Sequence, residues 1–344
     1  MKVAVSARVI DRNVGGNSRY ARTIHSQDTP YESILLRPSR SSSSSVYAPL
    51  ESFAWPLSVT ADVLHFPADT GAVLRGKVPI ITTVHGLGYR HVEGIRSTRA
   101  QLLWRKRVSA AVRASDHVIT VSRSSADDIV EEFGKSVRKI TVIPHGVDGK
   151  FQPGSVSAEE RAALGALGFP ETYMLYVGNI EPRKNLIELV RASQTVFEQT
   201  GVPLVIAGAK AWDFDETIAA VDGASGVHYV GRLPEELLVA AYRGAELFCF
   251  PSKYEGFGLP VLEAMATGTP VACTLAGSLR EVSEGAAFAF PGLGADDIAP
   301  VLHEAMSDAT ARAEIARAGL ARAATFSWAA SIDRHAEVFE EVAR

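Results

Sequence analysis

Cysteine is scarce in this chain, with only Cys249 and Cys273 among 344 residues. Two cysteines cannot build a disulfide framework or a zinc site of four cysteines, which indicates a reducing compartment. Long apolar runs are also lacking: no stretch of about 18 apolar residues occurs, so no membrane-spanning helix is predicted. The apolar segment Met1–Val9 contains Lys2 and Arg8 and is too short for a signal peptide. We therefore predict a buried strand there and a cytoplasmic protein.

Charge is unevenly divided along the chain. Apolar residues make up 47% and charged residues 22%, which excludes a disordered chain and a highly charged tail that binds nucleic acid. Residues 1–152 contain 21 Lys and Arg against 13 Asp and Glu, a net charge of +8. Residues 153–344 contain 14 against 26, a net charge of −12. Either the basic half meets an anionic partner or the division has no functional meaning, and both readings stay open.

Short apolar runs alternate with helical segments along the whole chain. The runs are rich in Val, Ile, Leu and Ala without polar alternation, as is typical of parallel strands buried on both faces. The predicted strands are Lys2–Val9, Ser33–Leu36, Val63–Phe66, Ile80–Val84, His117–Val121, Ile140–Ile143, Tyr173–Val177, Leu204–Ala207, Val227–Val230, Leu247–Phe250, Val271–Cys273 and Ala287–Phe290. The predicted helices are Ser18–His25, Arg96–Arg113, Ser124–Phe133, Ala158–Leu167, Leu186–Gln199, Pro234–Ala245, Pro260–Thr267, Asp296–Met306 and Trp328–Val342.

Strand–helix–strand repetition predicts an α/β fold with parallel sheets. The turn-rich segment Asp148–Gly154 divides the chain near its middle. We expect two doubly wound, Rossmann-like domains, residues 1–150 and 151–327, that face each other across a cleft. The segment from Arg37 to Ser45 contains five consecutive serines and is predicted to be a mobile loop.

The most informative stretch follows the predicted strand Leu247–Phe250. Gly256 and Gly258 permit a tight turn, and Pro260 lies where a helix can begin. A strand, a glycine-containing loop and a helix N-terminus together favour an anionic or polyhydroxyl ligand. Glu255 and Glu263 lie before and inside this helix. The alternative is a capping carboxylate and a solvated helix residue.

A second stretch, Tyr176–Asn185, also follows a strand and precedes a helix. It places Arg183 and Lys184 beside the helix N-terminus, where the dipole favours anions and two cations are a poor choice for stability. A bound phosphate would explain them. The alternative is a pair of solvated surface cations.

The first half of the chain offers weaker signals. Gly15 and Gly16 form a loop before a helix that Asn17 or Ser18 could cap. His85 lies at the carboxyl end of a predicted strand and is the histidine best placed for ligand chemistry. His145 comes second, and its alternative role is to shape the corner between the domains.

Together these stretches resemble the family 4, group 1, retaining glycosyltransferases, which have the GT-B fold. Glu255 and Glu263, separated by seven residues, match the most specific signature of that family. Residues 177–185, 231–233 and 264–271 are similar to further landmarks of its second domain. Gly15-Gly16, His85, Ser122 and residues 144–148 are looser matches in the first.

The resemblance implies roles for the second-domain residues. Arg183 and Lys184 would hold the donor diphosphate and stabilise it as it leaves. Glu263 would accept hydrogen bonds from the ribose hydroxyls. Glu255 would hold the transferring sugar, aided by backbone N–H groups of Phe257, Gly258 and Leu259.

Further roles follow from the same resemblance. Arg232 and Leu233 would flank the base. Gly16 would let the backbone approach the diphosphate, and His85 would contact the transferring sugar. The final helix, residues 328–344, would complete the first domain, which binds the acceptor.

Two other function classes compete with sugar transfer. A dinucleotide-dependent epimerase or oxidoreductase is disfavoured because neither half contains a Gly-x-Gly-x-x-Gly loop or a Tyr-x-x-x-Lys pair. A non-catalytic protein that binds sugar nucleotides is disfavoured because both glutamates and both cations are present. The spacing Asp213-Phe214-Asp215 would suit a metal, but a solvated loop is favoured, since Arg183 and Lys184 can replace a metal ion. No metal and no other cofactor is expected.

The donor and acceptor are less well defined. By resemblance, GDP-mannose is the first choice of donor, followed by UDP-sugars and dTDP-rhamnose. The acceptor is expected to be a glycan, a polysaccharide or a lipid-linked molecule, and no nucleic-acid partner is expected.

The segment Arg96–Arg113 carries six cations and no acids. At helical spacing, four apolar side chains are expected to face the sheet: Leu102, Leu103, Val108 and Val112. Four cations are expected to face outward: Arg99, Arg105, Lys106 and Arg113. With Trp104 at its edge, this face suits peripheral contact with an anionic membrane surface. The alternative is a solvated basic face.

Overall fold

The computed structural model describes residues 1–13, 15–39, 44–92, 98–134 and 139–344. They form two units. Unit 1 comprises residues 1–146 and 327–344, and unit 2 comprises residues 147–326. The turn-rich segment 148–154 therefore lies just inside unit 2, and the chain returns to unit 1 at its C-terminal end.

Unit 1 is built on a six-stranded parallel sheet in the order β2-β1-β3-β4-β5-β6. Its strands are β1 Lys2–Ser6, β2 Glu32–Leu36, β3 Val63–Phe66, β4 Ile80–Val84, β5 His117–Thr120 and β6 Ile140–Val142. β1 pairs with β2 on one side and with β3 on the other. The winding direction therefore reverses between β1 and β3, and such a switch point opens a crevice at the carboxyl ends of the strands.

Helices connect these strands. They are α1 Arg8–Arg12, α2 Gly15–Ile24, α3 Ser44–Pro49, α4 Trp55–Ser58, α5 Thr98–Ala114 and α6 Arg123–Phe133. A π-helical turn, Leu50–Ala54, joins α3 to α4, and a 3₁₀ turn spans Gly88–Arg90. α6 begins after Ser122, whose hydroxyl accepts from the Ser125 N–H, and ends at Gly134 in the left-handed conformation.

Unit 2 contains a second parallel sheet in the order β12-β11-β10-β7-β8-β9. Its strands are β7 Met174–Val177, β8 Leu204–Ala207, β9 Val227–Gly231, β10 Leu247–Phe250, β11 Val271–Thr274 and β12 Phe288–Phe290. The chain winds from β7 to β8 and β9, then continues with β10 on the other side of β7. The switch point of unit 2 therefore lies between β7 and β10.

The helices of unit 2 cover both faces of this sheet. They are α7 Ala158–Ala166, α8 Leu186–Thr200, α9 Asp215–Asp222, α10 Glu235–Arg243, α11 Leu259–Thr267, α12 Leu279–Ser283, α13 Ala295–Ser307 and α14 Ala309–Ala323. A 3₁₀ turn, Pro182–Lys184, precedes α8. The last helix, α15 Trp328–Ala343, belongs to unit 1.

Helix α15 supplies part of the core of unit 1. Val338 and Phe339 are fully buried there, in one cluster with Val3 and Val5 of β1 and Ile81 of β4. A C-terminal segment thus closes one face of a sheet whose strands come from the first 142 residues.

The predicted α/β fold with two parallel sheets is confirmed, with local differences. The predicted strand Lys2–Val9 is wrong at its end, because the chain leaves β1 after Ser6 and turns into α1. Within the predicted loop 37–45, residues 40–43 lie outside the described part, and α3 begins at Ser44. Residues 96 and 97 of the predicted basic helix also lie outside the described part.

Several helices had no prediction. α9 and α12 are short, and α14 is rich in Ala and Arg with few apolar positions in helical register. A weak apolar stripe gives little signal in the sequence. Among the described helices, none is both long and apolar enough to cross a membrane.

Candidate active site

Two loops meet at the switch point of unit 2, because they follow the adjacent strands β7 and β10. The loop after β7 runs through the turn Pro182–Lys184, and the loop after β10 leads to α11. The Lys253 N–H donates to the Arg183 carbonyl oxygen at 2.9 Å and ties the loops together. Both motifs chosen from the sequence therefore lie in one place.

A buried ion cluster joins the loops. One carboxylate oxygen of Glu255 lies 2.5 Å from the Lys184 ammonium and 2.9 Å from the Arg183 guanidinium. Only 8% of the Lys184 side chain is exposed, and its ammonium also lies 4.7 Å from the centre of the Phe250 ring. Glu255 thus holds both cations at the carboxyl ends of β7 and β10.

Glu181 completes the cluster. Arg183 donates to one oxygen of Glu181 from Nε at 2.9 Å and from Nη2 at 2.6 Å. The indole N–H of Trp212 donates to the other oxygen at 3.0 Å. Arg183 also donates to the Tyr254 carbonyl oxygen at 2.7 Å. Its guanidinium is therefore fixed from several directions.

Glu255 is arranged to stay ionised. Burial would raise the pKa of Glu255, but the charges of Arg183 and Lys184 outweigh burial and hold the pKa at about 2. Burial and the charge of Arg183 lower the pKa of Lys184, and Glu255 opposes that shift. Since the pKa of Glu255 is lowered from 4.5, its charge stabilises the fold above that pH, and this stabilisation is lost as the pH falls towards 2.

Neither cation is a solvated surface group, so that alternative is wrong. Both are paired, and both precede α8 in the 3₁₀ turn, while Asn185 occupies the position before the helix. The sequence predicted two unpaired cations at the N-terminus of α8. In the structure, Glu181 and Glu255 neutralise Arg183 and Lys184. Pairing relieves the electrostatic cost that their position in the sequence implied.

Glu263 lies on the next helix. It is buried within α11, and its carboxylate accepts from the Tyr242 hydroxyl at 3.0 Å. A solvated helix residue is therefore excluded at this position. No pattern in the sequence pointed to Tyr242, which lies 21 residues earlier on α10.

The start of α11 depends on Gly258. This residue has φ +98°, and a Cβ there would lie 2.5 Å from the Leu279 Cδ2 atom. Leu259 and Pro260 are the first residues of the helix. Proline has no N–H, and the Val261 and Leu262 N–H groups donate to the Gly258 carbonyl oxygen at 3.0 and 3.3 Å, so the Leu259 N–H is the donor that the first turn can offer to a ligand. Phe257 is buried just before this turn.

The remaining unit 2 residues are more exposed. Arg232 is exposed and Leu233 is half-buried, directly after β9. Asp213 and Asp215 are both exposed; Asp213 has φ +45° and Asp215 is the first residue of α9. Asp213 therefore lies in an exposed loop, as predicted.

In unit 1 the glycine loop differs from its prediction. α2 already begins at Gly15, so Gly16 is an exposed residue of the first helical turn. Asn17 and Ser18 lie inside the helix and do not precede it. The Ser18 hydroxyl donates back to the Val9 carbonyl oxygen at 2.7 Å, so the predicted capping role is wrong.

His85 follows β4 and is buried. Its backbone N–H donates to Asp69 at 2.8 Å, and its Nε2 lies 3.2 Å from the Pro67 carbonyl oxygen. Nδ1 is buried and has no hydrogen-bond partner among the residues that the structure describes. Burial lowers the pKa of His85 although Asp69 opposes it. Because Nε2 faces a carbonyl oxygen, Nδ1 is the ring nitrogen left to accept a hydrogen bond.

His145 packs inside unit 1. Its ring lies 5.0 Å from Tyr20, 5.6 Å from His85 and 5.5 Å from Trp328 of α15. The Tyr20 hydroxyl is also 2.8 Å from Nε2 of His335 on α15. Buried aromatic rings thus connect the C-terminal helix to the residues around His85.

The basic helix is only partly as expected. Val108 and Val112 are fully buried, but Leu102 and Leu103 are 52% and 62% exposed, so their prediction is wrong. At about 3.6 residues per turn, Leu103 lies on the opposite side of α5 from the valines, and Leu102 lies beside Leu103 at the edge of the buried face. Arg105 is exposed and pairs with Glu132.

Two sequence families match the chain. The family described as glycosyl transferases group 1 matches residues 160–322, and the family described as glycosyltransferase family 4 matches residues 7–151. The two matches together cover most of unit 2 and most of the first segment of unit 1.

Named proteins are similar as well. O-antigen chain mannosyltransferase B of Escherichia coli is 35% identical over 61% of this chain and 57% of its own length. A D-inositol 3-phosphate glycosyltransferase of Kribbella flavida is 30% identical over 78% of this chain and 68% of its own length. The chain thus spans little more than half of the first relative.

A solved structure has the same fold. Anabaena Alr3699/HepE in complex with UDP-glucose superimposes with a TM-score of 0.75 and 17% identity, covering 99% of this chain and all of that one.

Proposed function

The chain belongs to the group 1 glycosyltransferases of family 4, and we propose that it transfers a hexose from a nucleotide-diphosphate sugar with retention of configuration. The observation that carries this proposal is the ion cluster of Arg183, Lys184 and Glu255 at the switch point of unit 2. Ligands of doubly wound sheets bind at such points.

The cluster supplies what a departing diphosphate requires. Lys184 has three N–H donors, and among the described residues Glu255 is its hydrogen-bond acceptor. Two donors therefore remain for diphosphate oxygens. Negative charge grows on the leaving group as the sugar bond breaks, and a cation that is already fixed in place stabilises this charge without reorganisation.

The carboxylates would recognise hydroxyl groups. Glu263 would accept hydrogen bonds from the ribose, and Glu255 with the first turn of α11 would hold the transferring sugar. Arg232 and Leu233 would flank the base. From unit 1, Gly16 would lie along the diphosphate, and Nδ1 of His85 would accept from a sugar hydroxyl.

GDP-mannose is our first choice of donor. The name of the Escherichia coli relative supports mannose, whereas the UDP-glucose bound to HepE keeps UDP-sugars as the next choice. The acceptor is proposed to be a glycan, a polysaccharide or a lipid-linked molecule bound by unit 1.

Replacement of Glu263 is expected to weaken nucleotide binding. In Glu263→Ala the ribose hydroxyls would lose a charged acceptor worth about 1.5–3 kcal/mol, which corresponds to a roughly 10- to 150-fold higher Kd. Calorimetric titration with the nucleoside diphosphate measures it. Glu304→Ala, at an exposed position of α13, is the control. Equal affinities in the original chain, Glu263→Ala and Glu304→Ala would contradict the role of Glu263 in binding the ribose.

Activity is expected to survive chelation of divalent metals. Arg183 and Lys184 place two positive charges where other glycosyltransferases would use a metal ion. Transfer rates before and after dialysis against EDTA test this. Loss of transfer that Mn²⁺ or Mg²⁺ restores would show that the cations do not suffice.

Peripheral membrane contact is proposed for α5. Its exposed Leu102 and Leu103 stand beside cations, a combination that suits an anionic lipid surface. We expect co-sedimentation with anionic vesicles at low salt, reduced several-fold in a double Leu102→Ser, Leu103→Ser variant. Leu167→Ser, at an exposed site of unit 2, is the control. Equal binding to neutral vesicles would leave α5 as a solvated helix.

A ligand panel tests the proposed function. Titration with GDP-mannose, UDP-glucose, dTDP-rhamnose and NAD should give saturable binding of one sugar nucleotide and none of NAD. Binding of NAD alone would instead support the dinucleotide-dependent alternative.

A further inference from the structure

A network of buried hydrogen bonds runs through unit 1 from β2 to α15. Six side chains take part, and each lies within 3.0 Å of the next. In order along the network they are Ser33 of β2, His25 after α2, His65 of β3, Thr83 of β4, Tyr20 of α2 and His335 of α15. Tyr20, His65, Thr83 and His335 are completely buried. Imidazoles and hydroxyls therefore connect the sheet of unit 1 to the C-terminal helix.

The hydrogen bonds of this network have one direction, which is fixed at α15. Nδ1 of His335 lies 2.6 Å from the Ser331 carbonyl oxygen. A carbonyl oxygen can only accept, so Nδ1 carries the ring hydrogen. Burial lowers the pKa of His335 to about 4, so the ring is neutral at neutral pH and Nε2 is an acceptor. The Tyr20 hydroxyl therefore donates to Nε2 of His335 at 2.8 Å.

The same reasoning orients the rest of the network. Because the hydrogen of the Tyr20 hydroxyl is given to His335, Tyr20 accepts from the Thr83 hydroxyl at 2.9 Å. Thr83 then accepts from Nε2 of His65, and Nδ1 of His65 accepts from Nε2 of His25. Burial lowers the pKa of His25 to about 3 and holds the pKa of His65 well below its ordinary value. Neutral rings thus place one hydrogen in each of these bonds.

Tyr20 connects the network to His85. Its ring meets the His85 imidazole edge-on, with ring centres 4.8 Å apart and ring planes at 82°. Two hydrogen bonds at the hydroxyl, from Thr83 and to His335, fix the Tyr20 ring. On the other side, Nε2 of His85 lies 3.2 Å from the Pro67 carbonyl oxygen. The Tyr20 ring and this carbonyl group therefore limit how far the imidazole can turn.

We propose that Tyr20 and His335 are positioning residues for His85. The hydrogen bond between them holds the Tyr20 ring against the imidazole and so keeps Nδ1 of His85 in one orientation for a ligand. That this ligand is the sugar being transferred rests on the proposed function; that the two residues fix His85 does not. Loss of the orientation lowers the rate, since misplacing a group by about 1 Å can slow a reaction about 100-fold.

Two replacements of His335 test the proposal by kinetics of the full chain. His335→Leu removes the acceptor for the Tyr20 hydroxyl, whereas the amide oxygen introduced by His335→Gln can accept in its place. We expect kcat to fall about 10- to 100-fold in His335→Leu, with little change in the KM for the donor. His335→Gln should recover most of this loss. His303→Leu, which removes an exposed histidine of α13, is the control and should keep the original kcat.

A double-mutant cycle shows whether the effect passes through His85. In a His85→Ala background, His335→Leu should cause no further loss of kcat. Tyr20→Phe keeps the ring but removes the hydroxyl, and it gives the same test if His335→Leu does not fold. An equal loss of kcat with and without His85, or no recovery in His335→Gln, would mean that α15 only supports the fold.

NMR spectra of the histidine ring nitrogens test the network without any transfer reaction. At neutral pH we expect hydrogen on Nδ1 of His335 and on Nε2 of His65 and His25. The ring signals of His85 should shift in His335→Leu and stay unchanged in His303→Leu. Hydrogen on Nε2 of His335, or His85 signals that His335→Leu does not move, would overturn the proposal. Spectra as expected from a chain that transfers no sugar would contradict the proposed function alone.

Discussion

Replacement of Lys184 by methionine is expected to lower kcat about 100- to 1,000-fold with little change in the KM for the donor. The ammonium lies beside Glu255 at the carboxyl end of the sheet, and the charge that it would stabilise grows only as the sugar bond breaks. An interaction stronger in the transition state than in the ground state affects kcat. Methionine keeps the length of the side chain beside Phe250 without the charge.

The fold should tolerate this change, because Arg183 still lies 2.9 Å from Glu255 and keeps that carboxylate paired. Lys150→Met is the matched control, since it removes a lysine of unit 2 that pairs with the exposed Glu235 at 2.6 Å. Steady-state rates measured over a range of donor concentrations separate the effect on kcat from the effect on the KM for the donor. A higher KM at unchanged kcat would mean that Lys184 binds ground state and transition state equally.

Truncation of Phe339 is expected to destabilise unit 1 by about 3–5 kcal/mol. The side chain is fully buried, and its ring lies 5.0 Å from Tyr31 and 5.2 Å from His65. Phe339→Ala would leave a cavity between α15 and the sheet. Since domains of this size have about 5–15 kcal/mol of stability in total, the remaining stability would be small.

Calorimetric unfolding measures this loss as a Tm lower by roughly 6–20 °C. The control is Glu341→Ala, two residues later at an exposed position of α15. An unchanged Tm in Phe339→Ala would mean that the C-terminal helix is not part of the core of unit 1 in solution.

Strands were the most predictable part of the fold. Leu204–Ala207 and Leu247–Phe250 have the bounds expected from the sequence, because a strand buried on both faces of a parallel sheet is a continuous apolar run. The loops after β7 and β10 were predictable for the same reason, since each follows such a run. That the two loops meet at one switch point could not be predicted, because it depends on the order of the strands in the sheet.

The partners within the site were less predictable. Lys184 and Glu255 are 71 residues apart in sequence, and Glu263 meets Tyr242 on a different helix, so no local pattern joins either pair. Glu181, two residues before Arg183, was within the stretch chosen from the sequence but received no role. A carboxylate two residues from an arginine in a motif rich in cations is the signal that could have identified it.

The helical register of α5 was misjudged for a related reason. Leu102 and Leu103 are apolar, and burial was the natural expectation. The fold instead buries Val108 and Val112 and leaves the leucines in solvent. The spacing of apolar residues predicted that the helix has an apolar face. Which residues form that face depends on how α5 packs in unit 1.

Release of nucleoside diphosphate tests the central claim most directly. The full chain is incubated with GDP-mannose, UDP-glucose or dTDP-rhamnose and a panel of sugar, sugar-phosphate and lipid-linked acceptors, and the free diphosphate is measured. We predict acceptor-dependent release from one donor, with GDP-mannose the first choice, and release at least 100-fold slower in Lys184→Met. No release from any donor by folded protein that binds the nucleotide would contradict the account.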